Sequence, residues 1–105
     1  SFEPIGRPSR TVGVVAKLVI KAEQIEHFET HFLKLAAVVL AEESGCRFYA
    51  LHRSRADHNT YVVLEQYDDE AAFAAHGRYD AFKAANVPLK DCLAEAPSIE
   101  VFDGV

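Results

Sequence analysis

The sequence contains no methionine and no tryptophan, two cysteines, and five glycines of which none neighbours another. Cys46 and Cys92 match neither a CxxC nor a zinc-ligand spacing and are too few to staple a domain of this size, which points to reduced thiols in a cytoplasmic protein. Isolated glycines build no GxGxxG or GxxxxGK loop, so the commonest cradle for nucleotide phosphates is missing. No apolar run approaches the roughly 20 residues a membrane helix requires, and no charged-then-apolar leader is visible. A soluble chain with no membrane partner is expected. Basic residues are also scarce, 11 Lys and Arg against 16 Asp and Glu for a net charge of −5, which argues against nucleic acid as a partner. Because the chain opens at Ser1 and holds no Met, its natural start is expected upstream, or Ser1 is an expression remnant.

What is present is half hydrophobic, enough for one core in 105 residues. Residues 1–10 carry Pro4, Gly6 and Pro8 without periodicity and read as an extended arm; residues 11–105 read as a single domain. The β-branched run 11–20 predicts a strand. From residue 22 to 43 the period changes, and Ile25, Phe28, Phe32, Leu35, Ala36 and Val39 make one helical stripe that stops at Ser44-Gly45. Strands over 46–54 and 60–67 flank a polar turn, and Asp68 and Asp69 cap a helix. Gly77 and Pro88 divide that helical stretch into pieces near 70–77, 79–86 and 89–94. A strand over 98–102 completes a β-α-β-β-α-β order. The fold class is α+β, a ferredoxin-like four-stranded antiparallel sheet with two helices on one face.

Helices on one face should leave the other polar. Val14, Val15, Leu18, Val19 and Ile20 in the first strand, and Tyr61 to Leu64 in the third, are apolar on both parities. A homodimer packed sheet against sheet, with the last strand contributing, covers the second face most simply.

If the hairpin turn is Ala56 to Asn59, Arg55 pairs with Thr60. Phe48, Ala50, His52, Ser54, Tyr61, Val63, Glu65 and Tyr67 then share one face. A carboxylate and an imidazole on an apolar face are costly unless paired or hydrated, so His52, Glu65 and Tyr67 suggest a cavity, with Phe73 and His76 approaching from the second helix. His27 and His31 stand at metal-ligand spacing, but the HFETH string misplaces the Glu of HExxH and both point away from the core stripe, so a solvated face is the reading there. His58 reads as a turn residue. No metal site is expected.

The strings SGCRFYALHRS (44–54) and TYVVLEQYDDEAAFAAHGRYDAFKAA (60–85), together with a short closing strand, resemble the antibiotic biosynthesis monooxygenase family of dimeric α+β barrels over about residues 11 to 102. The resemblance rests on Gly45-Cys46, the Glu65-x-aromatic pair, the acidic helix cap and His76. It implies a ferredoxin-like homodimer that oxidises a small aromatic quinol or anthrone with molecular oxygen, without metal, flavin or other cofactor. In that reading His76 or His52 is the base, Glu65 orients the imidazole, Tyr67 and Tyr61 bind ring oxygens, and Phe48 and Phe73 sandwich the ring. Tyr67 stands where many members carry Trp. Asn86 stands where the heme-degrading branch has its heme-binding His, and Asn is no axial ligand for heme iron. The closing VFDGV with Glu65 and His76 also resembles small isomerases of phosphorylated diones, for which Arg53, Arg78 and Lys83 would have to hold phosphate. A non-catalytic ligand-binding domain on the same scaffold is the third alternative.

Overall fold

The computed structural model describes residues 10–79, 83, 84 and 86–105. The expected arm falls almost wholly outside this range, as do residues 80–82 and 85 of the expected helical piece 79–86. The elements are β1 (Val12–Val19), a 3-10 turn (Ala22–Gln24), α1 (Ile25–Glu42), β2 (Cys46–Arg53), β3 (Thr60–Tyr67), α2 (Glu70–His76), a 3-10 helix (Val87–Cys92) and β4 (Ser98–Asp103). The four strands form one antiparallel sheet in the order β2-β3-β1-β4, the ferredoxin-like arrangement. Pro88 enters the 3-10 helix near its start, where its missing N–H costs nothing, so that element begins two residues earlier than the break at Pro88 predicts. Among the described residues no helix is long and apolar enough to cross a membrane.

Packing, not capping, positions α1. Its N-terminus has no side-chain cap bond, worth about 1 kcal/mol where present. Phe28, Phe32, Leu35 and Val39 are each no more than 2 % exposed, and burying such side chains contributes about 1.5–3 kcal/mol apiece. They lie on the face of the sheet that Val12, Val14 and Ala16 of β1 and Tyr61, Val63, Glu65 and Tyr67 of β3 present.

The β2–β3 turn holds residues 55–59, one more than the four-residue turn expected from the sequence. Ser54, not Arg55, pairs with Thr60, its N–H donating to the Thr60 carbonyl at 2.9 Å. The cause is local. Ser54 Oγ accepts the N–H groups of Ala56 (3.1 Å) and Asp57 (3.0 Å), which draws Arg55 into the turn. Asp57 closes the far side by accepting from Asn59 N–H and Thr60 Oγ1. Tyr49 therefore pairs with Glu65 and His52 with Val62. A one-residue shift exchanges faces along the strand. Phe48, Ala50 and His52 consequently lie on the outer face with Val62, Leu64 and Gln66, and Tyr49 and Leu51 point inward. The outer face is also apolar, with Phe48, Leu64 and Phe102 well exposed beside Val15, Val19 and Val62.

Two features bring the end of α1 against α2. The Gly45 carbonyl accepts Asp68 N–H at 2.8 Å, and an added Cβ at Gly45 would stand 2.5 Å from Ala72 Cβ. Asp69 caps α2 as the sequence predicts, accepting Ala72 N–H at 2.8 Å. Gly45→Ala should therefore lower stability by about 1–3 kcal/mol, the usual cost of overpacking. Gly77→Ala is the matched control, because its Cβ would meet nothing within 4 Å and its φ is −71°. Urea unfolding of both variants checks this: the midpoint should fall for Gly45→Ala and hold or rise for Gly77→Ala.

Candidate active site

A cavity of about 360 Å³ lies between the inner face of the sheet and the helical layer. Most of its wall is apolar, from Val14, Ala16 and Leu18 of β1 to Phe28, Phe32 and Leu35 of α1. Polar groups gather at one part of it. Glu65 and Tyr49, paired across β3 and β2, and His76 from the last turn of α2 all reach the lining. Asn86 and Lys90 contribute from the 3-10 segment, Lys90 as an exposed side chain.

His76 is held by Glu43. Its Nδ1 stands 2.8 and 3.0 Å from the two carboxylate oxygens, and the Glu43 side chain is 3 % exposed. An ionised carboxylate can only accept, so Nδ1 is the donor, and in the neutral ring Nε2 carries the basic lone pair. Glu65 has a different partner: Tyr67 Oη donates to its Oε1 at 2.6 Å, and both residues are buried. Aromatic rings surround the imidazole, Tyr49 at 5.5 Å and Tyr67 at 5.3 Å between centroids, and Phe73 packs on Tyr67 at 5.6 Å.

Burial sets the electrostatics. Desolvation raises the Glu65 carboxyl above its ordinary value and the nearby Glu43 adds to this, while the Tyr67 hydrogen bond and His76 act in the opposite sense. Burial, with Glu65 next, pushes the Tyr49 and Tyr67 phenols upward, so neither is a phenolate at neutral pH. The Cys46 thiol is pushed up to about 12 by burial and by Glu43 and Glu65, which makes it inert.

The antibiotic biosynthesis monooxygenase family model matches residues 11–87. The chain belongs to this family. A Caulobacter crescentus CB15 protein provisionally named an antibiotic biosynthesis monooxygenase is 42 % identical over 92 % of each chain, with a TM-score of 0.88. A conserved protein from Methanosarcina mazei Go1 is 27 % identical over 90 % of this chain and 93 % of its own, with a TM-score of 0.84. SnoaB from Streptomyces nogalater, described as a cofactor-independent oxygenase and solved as a mutant, shares the fold at 22 % identity and a TM-score of 0.80, over 91 % and 94 % of the two chains. No curated protein matches the sequence.

Of the residues that the sequence singles out in this family member, Glu65, Tyr67, Phe73 and His76 come together. His52 and Phe48 do not: the turn places them on the outer face, where His52 Nδ1 lies 3.2 Å from the Ala50 carbonyl. Tyr61 faces inward but is engaged elsewhere, its hydroxyl on Glu29, its ring against Phe28 and beneath the Arg53 guanidinium. Glu65 is also not the carboxylate hydrogen-bonded to the imidazole; Glu43 is. Sequence reasoning missed Glu43 and left Tyr49 out of the face that holds Glu65. The one signal for Glu43 is that a carboxylate at a helix C-terminus opposes the helix dipole, a signal it shares with Glu42. The His27 and His31 rings lie 4.2 Å apart between centroids, tilted by 50°, on the outer side of α1, and among the described residues no group of three or more metal-ligating side chains occurs.

The Glu65 shift has a sign in stability. Above the ordinary carboxyl value of 4.5 the unfolded chain loses the Glu65 proton first while the folded chain keeps it. The folded state then binds more protons, so stability falls as pH rises through that window and levels off above the raised value. Glu65→Gln should remove this component. Urea unfolding of both proteins from pH 4 to 8 measures it: the variant should gain on the parent as pH rises, and a constant difference would refute the assignment.

Proposed function

We propose that this protein is a monooxygenase that oxidises a small aromatic quinol or anthrone-type molecule with molecular oxygen, His76 acting as the base. The observation that carries this reading is a buried Glu43–His76 pair opening on an apolar cavity. Such a substrate supplies the electrons itself: once deprotonated it can pass one to oxygen, and the protein must take the proton, hold the ring and exclude water. For an anthrone, loss of a C–H proton to His76 Nε2 gives the enolate. Electron transfer to oxygen and recombination form a C–O bond as a peroxide, which takes back the proton and loses water to leave a new carbonyl. One oxygen atom enters the product and one leaves as water.

Glu43 supports the imidazolium that forms, and its two-oxygen grip fixes the ring's orientation. Phe73 and the α1 aromatics offer flat surface for the ring. SnoaB, described as a cofactor-independent oxygenase, shares this fold, which supports the reading. The phosphorylated-dione alternative finds less. Arg53 is tied to Glu29 and the His58 carbonyl, Arg78 and Lys83 are exposed, and none of the three lines the cavity.

We also propose that the outer face is buried in a homodimer. Phe48, Leu64 and Phe102 give it an apolar patch of the kind a lone domain seldom leaves to water. Sedimentation at micromolar concentration should show a dimer, and a monomer would refute it.

The catalytic reading is tested on oxygen uptake with a panel of quinols and anthrones. His76→Ala should lower turnover by roughly 10²-fold or more while leaving the fold intact. Glu43→Gln should lower kcat more than it raises KM, because it removes charge behind the base and no contact with the substrate. His27→Ala, on the outer side of α1, should match the parent. Equal rates in all three, on a substrate the parent turns over, would overturn the assignment.

A further inference from the structure

Three titratable groups from three elements meet at the polar part of the cavity wall: His76 from α2 and Glu65 from β3 line it, and Glu43 from the end of α1 stands behind His76. Two carboxylates thus face one imidazole. Glu43 takes the imidazole directly, at 2.8 Å. The other groups facing Glu65 are Tyr67 on its own strand and Tyr49 and Cys46 on β2, all of them neutral at ordinary pH. Lys90, from the 3-10 helix, lines the cavity as an exposed side chain.

A buried carboxylate without a cation of its own costs several kcal/mol, and the usual resolution is to keep the proton. The geometry says where that proton sits. Oε1 accepts the Tyr67 hydroxyl at 2.6 Å, and among the described residues no donor reaches Oε2. Yet no buried side-chain oxygen or nitrogen among the described residues lacks a partner, so Oε2 is not sealed in protein, and Glu65 is one of the residues that line the cavity.

We infer that Glu65 enters the reaction as a neutral carboxylic acid, held by Tyr67 on Oε1 and donating a hydrogen bond from Oε2 to a carbonyl or developing oxyanion of the substrate. The raised titration of Glu65 agrees with this. The inference rests on the reading of the cavity as a substrate site and deepens it. His76 takes a proton from one position of the ligand, and Glu65 stabilises the negative charge that this creates on an oxygen elsewhere in the conjugated system. No atom is exchanged in the Glu65 step; its proton stays on the carboxyl and strengthens its bond as charge builds. The ligand is therefore a conjugated aromatic with an oxygen acceptor.

Binding distinguishes the two levels of inference without any turnover. The probes are 9-fluorenone and fluorene, rigid tricycles of nearly equal shape that differ in one carbonyl. At a pH below the Glu65 titration the parent should bind fluorenone about tenfold more tightly than fluorene, a ratio that corresponds to about 1.4 kcal/mol. The infrared carbonyl stretch of bound fluorenone should fall below its value in an aprotic solvent. Raising the pH until Glu65 ionises should abolish both effects. Glu65→Leu should bind both probes equally at every pH. Glu65→Gln, which keeps an amide donor, should retain much of the preference and lose its pH dependence. If the pH dependence persists in Glu65→Gln, the donor is the imidazolium of His76 and the inference is overturned. Equal binding of both probes by the parent also overturns it but leaves the cavity as a binding site. Failure of both probes to bind removes the substrate-site reading, and the Glu65 inference falls with it.

Discussion

Ser54 folds its hydroxyl back onto the amides of Ala56 and Asp57, and the composition of the cavity depends on that turn. A turn over 55–59 fixes the parity of β2 against β3. The parity of β3 is fixed separately by its pairing with β1, which sets Val12, Val14 and Ala16 opposite Tyr67, Glu65 and Val63. The turn accordingly decides which residues of β2 join Glu65: Tyr49 and Leu51 go inward, and His52 and Phe48 go out. Asn59 ties the turn to the sheet, since its carbonyl accepts Ile20 N–H at 2.8 Å and its Nδ2 donates to the Ile20 carbonyl at 3.0 Å. The imidazole that meets Glu65 is then necessarily the one on α2.

Holding that imidazole beside two carboxylates is unfavourable to the fold in two ways. Glu43 ends α1, where the dipole disfavours negative charge, and it is desolvated as well. Glu65 occupies a central strand where an apolar residue would pack without penalty. These departures from what local structure prefers coincide in space, on either side of His76, and such coincidences mark sites under functional demand. The apolar α1 stripe and the buried residues of β1 and β3 offset the cost. Gly45, by admitting Ala72 to close contact, lets the end of α1 and the body of α2 approach closely enough for Glu43 to grip His76.

Much of this was legible in the chain. The three- and four-residue spacing of Phe28, Phe32, Leu35 and Val39 specifies α1, Asp69 announces its helix, and the alternation Tyr61, Val63, Glu65, Tyr67 gives the inner face of β3 before any partner is known. The hairpin register was not legible, because it turns on whether Ser54 or Arg55 is the residue that pairs with Thr60, a choice worth only a hydrogen bond or two. The Glu43–His76 contact joins residues 33 apart through tertiary packing, which no local period records. The strand face and the helix spacing brought Glu65, Tyr67 and His76 together in the sequence but set Glu65, not Glu43, beside the imidazole.

The cavity joins a rigid wall to a slighter one. Glu65 and Tyr67 sit on β3, and Val14 and Ala16 on β1, strands hydrogen-bonded on both sides, so the polar groups are held to the narrow tolerances that proton transfer needs. The remaining lining comes from the 3-10 helix, from Leu93 and Pro97 in the connection beyond it, and from Ile99, the partner of Ala16 on β4, an edge strand whose residues are all exposed. Fewer backbone bonds restrain that side. A change of side chain at Leu89, Leu93 or Ile99 therefore alters the shape offered to a ring system without disturbing the Glu43–His76–Glu65 geometry. Under the proposed chemistry, such a change would alter which molecule is accepted while leaving the imidazole and its carboxylates in place.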